Sequence, residues 1–489
     1  MFGLLLACET GGSDTADTAA PVGTLLKETG DSTGGLAPLP YARIDGAPAD
    51  GFGNAVDAGT DLNGDDIDDI LSAAYLGNRV CAMFGPIPPG DHAVDGLSSA
   101  CLVGELDTDY AGYGMAAVGD ATADGQADVL IGSIGNSDAG MNAGKAYLVA
   151  GPLTPGTRTL AGAHAQWTGE AAGDYAGVAL DLAGDLTGDG ADDLLIGASG
   201  FDGEGGGGGG RVYIVGGPAE PGAYSLDRAF ASITGLAAPA ALQGAAPPPH
   251  GAFGTGDFVG DTFAGTHDFD GDGVADLALG ASGDQTAAIN AGKMAVFFGP
   301  PATGNQSVAD ADVTLLGPGE HAYAGSPLLA VADVTGEGLA DVWVSADAYK
   351  AGEVYLISPK LGQTSLSEAA ITRVEGESDG DLFGYALAHG DLDGDTLPET
   401  VITAFAASKV GLGSGAVWVF PAPLPKGTVP ASDTAPLAGE FAGDNFGSAV
   451  AIAQNEGPAL LIGARNSDSG GGFAGRVYLY AGLDALGTR

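Results

Sequence analysis

The chain has 489 residues, 45% hydrophobic and 16% charged, so it can bury a large core and is not a disordered acidic polymer. Its 63 Asp and Glu against 16 Lys and Arg give a formal net charge of −47, which makes nucleic acid and anionic lipid poor partners. The 87 glycines follow no collagen period and read as turn chemistry, and after the first few residues no run of about 20 apolar residues could span a bilayer.

The chain begins with a short apolar run, Leu4-Leu5-Leu6-Ala7, followed by Cys8. That order resembles a bacterial lipoprotein cleavage box, although the run is short and lacks a basic flank. It implies a truncated signal over 1–8 with Cys8 as the lipid anchor. Residues 9–38 are rich in Asp, Thr, Ser and Gly and read as a flexible tether, leaving 39–489 as the folded domain. The expected location is therefore outside the cell, as an outer-membrane or surface lipoprotein or a secreted protein. Contact with membrane would be through the anchor alone.

From residue 41 onward the sequence is cut into short apolar runs separated by glycine turns, with no amphipathic helix of useful length. The third unit shows the pattern. Ala165-Gln166-Trp167-Thr168 is one run, and Tyr175-Ala176-Gly177 turns into Val178-Ala179-Leu180-Asp181-Leu182. An acidic loop follows, then Leu194-Leu195-Ile196-Gly197-Ala198, a Gly-rich loop, and Arg211-Val212-Tyr213-Ile214-Val215. Runs like the last one begin at Arg79, Lys145, Arg211, Lys293, Glu353, Ala416 and Arg476, which makes seven units. Four strands to a unit of about 60 residues fit a propeller blade, so the predicted fold is all-β, a seven-bladed β-propeller. The first unit starts with a spare outer strand at Tyr41-Ala42-Arg43-Ile44, while the last ends on its third strand, Arg476 to Tyr480. Pairing these two closes the ring and leaves no open edge at the seam.

The acidic loops carry the chemistry. In Asp268-Phe269-Asp270-Gly271-Asp272-Gly273-Val274-Ala275-Asp276, carboxylates stand at positions one, three, five and nine, with Gly at six. Clustered carboxylates repel unless a cation sits among them. Oxygen ligands at one, three and five, with a backbone carbonyl at seven, suit a hard cation such as Ca²⁺. The candidate ligands of this loop are thus Asp268, Asp270, Asp272, Val274 and Asp276. Five further loops repeat the pattern: Asp61, Asn63, Asp65, Ile67 and Asp69; Asp120, Thr122, Asp124, Gln126 and Asp128; Asp185, Thr187, Asp189, Ala191 and Asp193; Asp333, Thr335, Glu337, Leu339 and Asp341; and Asp391, Asp393, Asp395, Leu397 and Glu399. In each loop the position-seven residue enters the set through its backbone carbonyl. The loop at 268–276 should be the strongest site by charge count. The one at 391–399 ranks lower because its last ligand is a Glu after Pro398. The seventh unit keeps only a remnant, Gln454-Asn455-Glu456-Gly457-Pro458.

Phe-Gly, an inner strand, Asp-x-Asp-Gly-Asp-Gly-x-x-Asp, an apolar strand and then Gly-Ala resembles the FG-GAP repeat of the integrin α-subunit head and of bacterial FG-GAP proteins. The resemblance covers about 39–489 and implies up to six structural Ca²⁺ sites within blades. It implies nothing specific about the ligand. The fourth unit departs from it, being compressed between Phe263 and Asp268 beside an Ala/Pro-rich insertion at 237–257.

Alternating strand direction puts the acidic loops at one end of the ring with the turns at Gly85-Pro86, Gly151-Pro152, Gly217-Pro218 and Gly299-Pro300. The loops at 133–144, 199–210, 283–292, 405–415 and 464–475 fall at the other end, where binding is expected. Cys81 and Cys101 lie on runs expected to be antiparallel neighbours joined by a turn around Pro86 to Gly90, so they are candidates for a disulfide. No His-Glu-x-x-His or phosphate-binding loop is present, and His267 and His389 read as strand histidines rather than metal neighbours. The expected function is a non-enzymatic, monomeric surface module for binding or adhesion to a protein or glycan. A glycan-binding lectin and the propeller of a polysaccharide-acting enzyme stand as alternatives.

Overall fold

Strands this short gain little alone, so each must bury both faces against neighbours. In a computed structural model of the chain, which describes residues 26–28, 36–38, 40–202, 208–237, 256–299, 301–453 and 457–481, they do so as seven sheets in a ring. A separate two-stranded ribbon pairs Leu26–Glu28 with Leu36–Pro38. Cys8 and most of the expected tether lie outside the described residues.

The first blade is a meander of Val56–Thr60, Asp69–Ala74, Arg79–Met83 and Ser99–Val103, each antiparallel to the next. The other blades repeat it. Residues along a strand alternate between two neighbours, as the two-residue period of a strand requires. On Asp128–Ser133, Val129 and Ile131 pack toward the first blade with Leu71, Val80 and Leu102. Leu130 packs toward the third with Leu194, Ile196 and Tyr213. The core is therefore distributed between blades. One apolar cluster fills each of the seven interfaces, including that between the last blade and the first.

The ring closes as expected. Ala42–Asp45 runs antiparallel to Arg476–Ala481, with Ala42 opposite Leu479 and Ile44 opposite Val477. Ala42 and Ile44 then join Phe52, Ile70, Leu461 and Val477 in the closing core.

The Phe-Gly and Gly-Ala motifs meet between blades. Gly177 turns at φ +88° into the inner strand of the third blade. A Cβ on Gly132 of the second blade would lie 1.8 Å from the Gly177 carbonyl oxygen. Neither position tolerates a side chain, because two backbones touch there.

Three expectations are corrected. Blades are not limited to four strands. Gly90–Ala93, Gly156–Thr159, Gly222–Ser225, Gly304–Ser307 and Gly427–Pro430 fall in third-to-fourth connections, where the sequence reading placed no strand. Each instead runs parallel to the outer strand of the preceding blade. These segments are mostly exposed, so they carry no hydrophobic alternation to mark them. They satisfy the outer edge that would otherwise present unpaired N–H and C=O groups. Among the described residues, the sheets ending at Val313–Leu316 and Leu437–Ala438 keep four strands.

The second correction concerns the fourth unit. The bridge Gly210–Val259 is equivalent to Gly144–Ala176 and Gly292–Ala324, so Val259-Gly260 is its turn. Gly260 has φ +101°, and Phe263–His267 is already the inner strand. The unit is not compressed. Its turn simply lacks the Phe of the motif at that position.

The third concerns Cys81 and Cys101. They stand directly opposite each other and form a disulfide. The connection between their strands is no turn, because Gly90–Ala93 leaves the blade to pair with Ala42–Asp45. The bond closes a 20-residue excursion and ties it to the seam of the ring. In the chain-entropy picture such a loop is worth about 3 kcal/mol. Thiol titration of the denatured, unreduced protein is expected to find neither cysteine free, and two reactive thiols from these positions would refute the bond.

Candidate functional site

Each acidic loop connects the inner strand to the second strand of its blade, and its backbone is wrapped around the first acid. Asp268 accepts hydrogen bonds from the Gly271 and Gly273 N–H groups at 2.6 and 2.8 Å. Asp61 accepts from four successive N–H groups, of Asn63, Gly64, Asp65 and Asp66. Burial pushes both carboxyls up, but the N–H groups together outweigh it and hold them below the usual range. Asp333 is also lowered, chiefly by the Gly338 N–H.

The ninth residue is built oppositely. Asp69, Asp128, Asp193, Asp276, Asp341 and Glu399 are all buried. Asp276 accepts from Phe269 N–H at one oxygen and from Gly299 N–H at the other, both at 2.6 Å. Gly85, Gly151 and Gly217, each just ahead of its proline, donate in the same way to Asp69, Asp128 and Asp193. Burial raises all six despite these donors, Asp69 to about 6. The neighbouring Asp65 and Asp61 charges add to the rise at Asp69, as do Asp270 and Asp268 at Asp276.

Position three decides how acidic the centre is. Asp268, Asp270 and Asp276 bring three carboxylate oxygens within 4.8 Å of one another, and so do Asp391, Asp393 and Glu399. In three other loops a neutral side chain reaches the ninth acid instead. Thr187 Oγ1 donates to Asp193 at 3.3 Å, Thr335 Oγ1 to Asp341 at 3.2 Å and Asn63 Nδ2 to Asp69 at 3.4 Å. Position five stands apart from the converging set. Asp272, Asp395, Asp65, Asp124 and Asp189 each accept the N–H of position seven, from Val274, Leu397, Ile67, Gln126 and Ala191. Glu337, the position-five acid at 333–341, is in an ion pair with Lys360. His267 and His389 lie on inner strands. His389 is held down to about 4 by burial.

The donor sets at 268–276 and 391–399 fit a hard cation. Every converging atom is a carboxylate oxygen, one of the three acids is buried, and among the described residues no Lys or Arg pairs with any of them.

Residues 176–215 span a whole motif: the inner-strand turn, the acidic loop, the Gly-Ala strand and the third strand. They match the family model of the FG-GAP repeat. This blade of the propeller carries an FG-GAP repeat. A comparison with curated proteins found no match. Among solved structures, the crystal structure of the V. cholerae biofilm matrix protein Bap1 is similar over 87% of this chain and 76% of that chain, at 10% identity. The TM-score is 0.27, too low to carry an inference.

A second site went unnoticed in the sequence. At the end of the propeller away from the acidic loops, a mouth of about 540 Å³ opens on the ring axis. Asn54, Tyr113, Val178, Asp261, Ser326 and Tyr385 line it, each directly following the turn glycine of its unit. That register was legible as a column through the repeats. Tyr75, Arg465 and Asn466 complete the lining from second-to-third loops.

Below the mouth, Asp57 and Asp181 stand on inner strands, crowded by protein yet partly open to solvent. Asp57 accepts the Ala117 N–H of the next blade at 2.8 Å. Burial lifts Asp181 to about 7, with Asp57 adding to the lift against the Leu182 N–H. A raised folded-state value means the folded protein binds the extra proton. Stability from this group is therefore full below about 4 and lost as pH rises toward 7. Asp181→Asn is expected to stabilise the fold at pH 8 by on the order of 1–2 kcal/mol, less than the full shift because solvent reaches the carboxylate. At pH 4 it should gain nothing. Thermal melts of both proteins across that range check it, and equal gains at both ends would disprove it.

Proposed function

We propose that the chain is a calcium-stabilised extracellular binding module whose ligand face is the end opposite the acidic loops. One observation carries the choice of face. The large apolar side chains left most exposed, Leu106, Met141, Val410, Leu412, Phe441 and Phe473, all lie on second-to-third loops or blade-to-blade connections at that end. At the acidic-loop end Leu361 is the counterpart. Exposed apolar side chains gathered on one face of a rigid ring mark an interaction surface.

Calcium would be held by Asp268, Asp270 and Asp276, by Asp391, Asp393 and Glu399, and more weakly by the loops with a neutral third residue. Bound there, it supplies positive charge that offsets the mutual repulsion of the acids and fixes the turn between two strands. This is a structural role, remote from the ligand face. The net charge and the cysteine pair suit life outside the cell, and lipidation at Cys8 would hold the propeller at a membrane surface. No helix among the described residues is long and apolar enough to cross a membrane.

The test is a glycan and protein array probed with the full chain in millimolar calcium and again in chelator. Binding is expected to be lost in chelator only where the fold is also loosened. A chain that stays folded with calcium and binds nothing on either array would count against the proposal.

A further inference from the structure

We propose that the axial mouth binds a hydroxylated carboxylate, a sugar acid either free or within an acidic polysaccharide, with its carboxylate on Arg465. The assignment rests on the ligand-face reading above and names the chemistry that face would recognise.

Arg465 is the anomaly. Nearly every partly buried cation in this acid-rich chain is paired. Arg79, Lys145, Arg211, Lys293 and Arg476 all meet carboxylates. Arg465 is half-buried, and among the described residues no carboxylate lies within ion-pair distance of it. Arg158, Arg228 and Lys426 also lack one, but they are exposed.

What holds Arg465 instead is aromatic. Its guanidinium carbon lies 5.0 Å from the Phe405 ring centre and 5.8 Å from that of Tyr385, and Nη1 donates to the Tyr385 hydroxyl at 3.2 Å. Those contacts fix the plane of the fork and use one of its five N–H groups. The remaining donors are preorganised in the geometry that a carboxylate accepts in bidentate fashion. Aromatic contact leaves the charge in place without neutralising it.

The rest of the mouth suits a hydroxylated body. Tyr75 and Tyr113 meet edge to face with ring centres 5.8 Å apart, giving an apolar wall for the C–H face of a sugar. Burial and the Asp261 charge hold the Tyr113 hydroxyl above its ordinary range, so it stays a neutral donor. Asn54, Asn466 and Asp261 offer amide and carboxylate groups to hydroxyls. About 540 Å³ accommodates one or two sugar rings and lies within the usual range for ligand pockets. Asp261 disfavours a second carboxylate nearby, so the ligand presents one acid to the mouth at a time.

Calorimetric titration of the full chain in millimolar calcium tests the assignment. The probes are glucuronate, glucose, and an oligoglucuronate. Glucuronate is expected to bind at least tenfold more tightly than glucose. Arg465→Gln should lose at least tenfold for glucuronate, and Arg465→Lys should fall between. Tighter binding of the oligomer per site points to a polysaccharide source, and equal binding to a free acid. Equal affinity for glucose and glucuronate, no binding of either, or full glucuronate binding by Arg465→Gln overturns the proposal. If Arg465→Gln fails to fold, Asn54→Phe fills the mouth without touching the arginine stack. Lost binding then supports the site, and retained binding overturns it. An array ligand that lacks any carboxylate and still binds Arg465→Gln would overturn this site while leaving the binding-module reading intact.

Discussion

Stripping divalent cations from the protein is expected to lower its melting midpoint by on the order of 5–10 °C relative to millimolar calcium. The magnitude follows from mass action. Loops of this kind in extracellular modules bind at about 0.1–1 mM, and a site at the tight end contributes roughly 1.4 kcal/mol at millimolar calcium. Several such sites add, because they lie on separate blades and share no ligands. The contribution should be uneven. Asp276→Asn removes the buried acid of a converging triad, whereas Asp341→Asn acts in a loop where Lys360 already pairs with Glu337. The first substitution is therefore expected to cut the calcium-dependent part of the shift more than the second. Calorimetry in chelator and in calcium, on the parent and both variants, provides the measurement. An unchanged midpoint in chelator would refute the structural role. A larger loss from Asp341→Asn would refute the ranking.

Much of this was legible in the sequence, because a repeat multiplies weak signals. One acidic loop could be a solvated turn, but six in register with seven Arg211-like strands define the blade, the ring and its closing strand. The parts that escaped have physical reasons. Gly156–Thr159 and its equivalents are exposed on a sheet edge, so nothing in their composition distinguishes strand from turn. The fourth unit was misaligned because Val259 does the backbone work of the usual Phe, and the bridge from Gly210 reads the backbone alone. Arg465 was invisible for a different reason. Its role depends on Tyr385 and Phe405, 80 and 60 positions away, and on having no acid beside it in a chain full of acids. The absence of a partner cannot be read from composition.

The first residue of the third strand gives the other large effect. Lys293 donates to Asp284 at 2.7 Å and to Asp257 at 3.2 Å, and all three side chains are buried. Asp257 precedes the turn of its own blade, while Asp284 lies on the loop leading into the Lys293 strand. One ammonium thus ties a loop to a blade connection. Burial opposes the charge on Lys293, but the two acids outweigh it and raise its pKa. Burial likewise raises Asp257, against the pull of Lys293. Lys293→Met leaves two carboxylates buried without a counter-charge and is expected to cost about 3–5 kcal/mol at neutral pH. The cost should shrink on acidification, since the stranded carboxyls can then take up protons. Adding Asp257→Asn and Asp284→Asn to Lys293→Met should recover most of the loss, because no unpaired charge remains. Lys350 provides the contrast. It pairs with Glu353 at 3.1 Å but is largely exposed, so Lys350→Met is expected to cost less than about 1 kcal/mol. Denaturant unfolding of the four proteins at pH 7 and pH 5 measures each term. Equal losses for Lys293→Met and Lys350→Met would show that burial of the trio does not set its energetics.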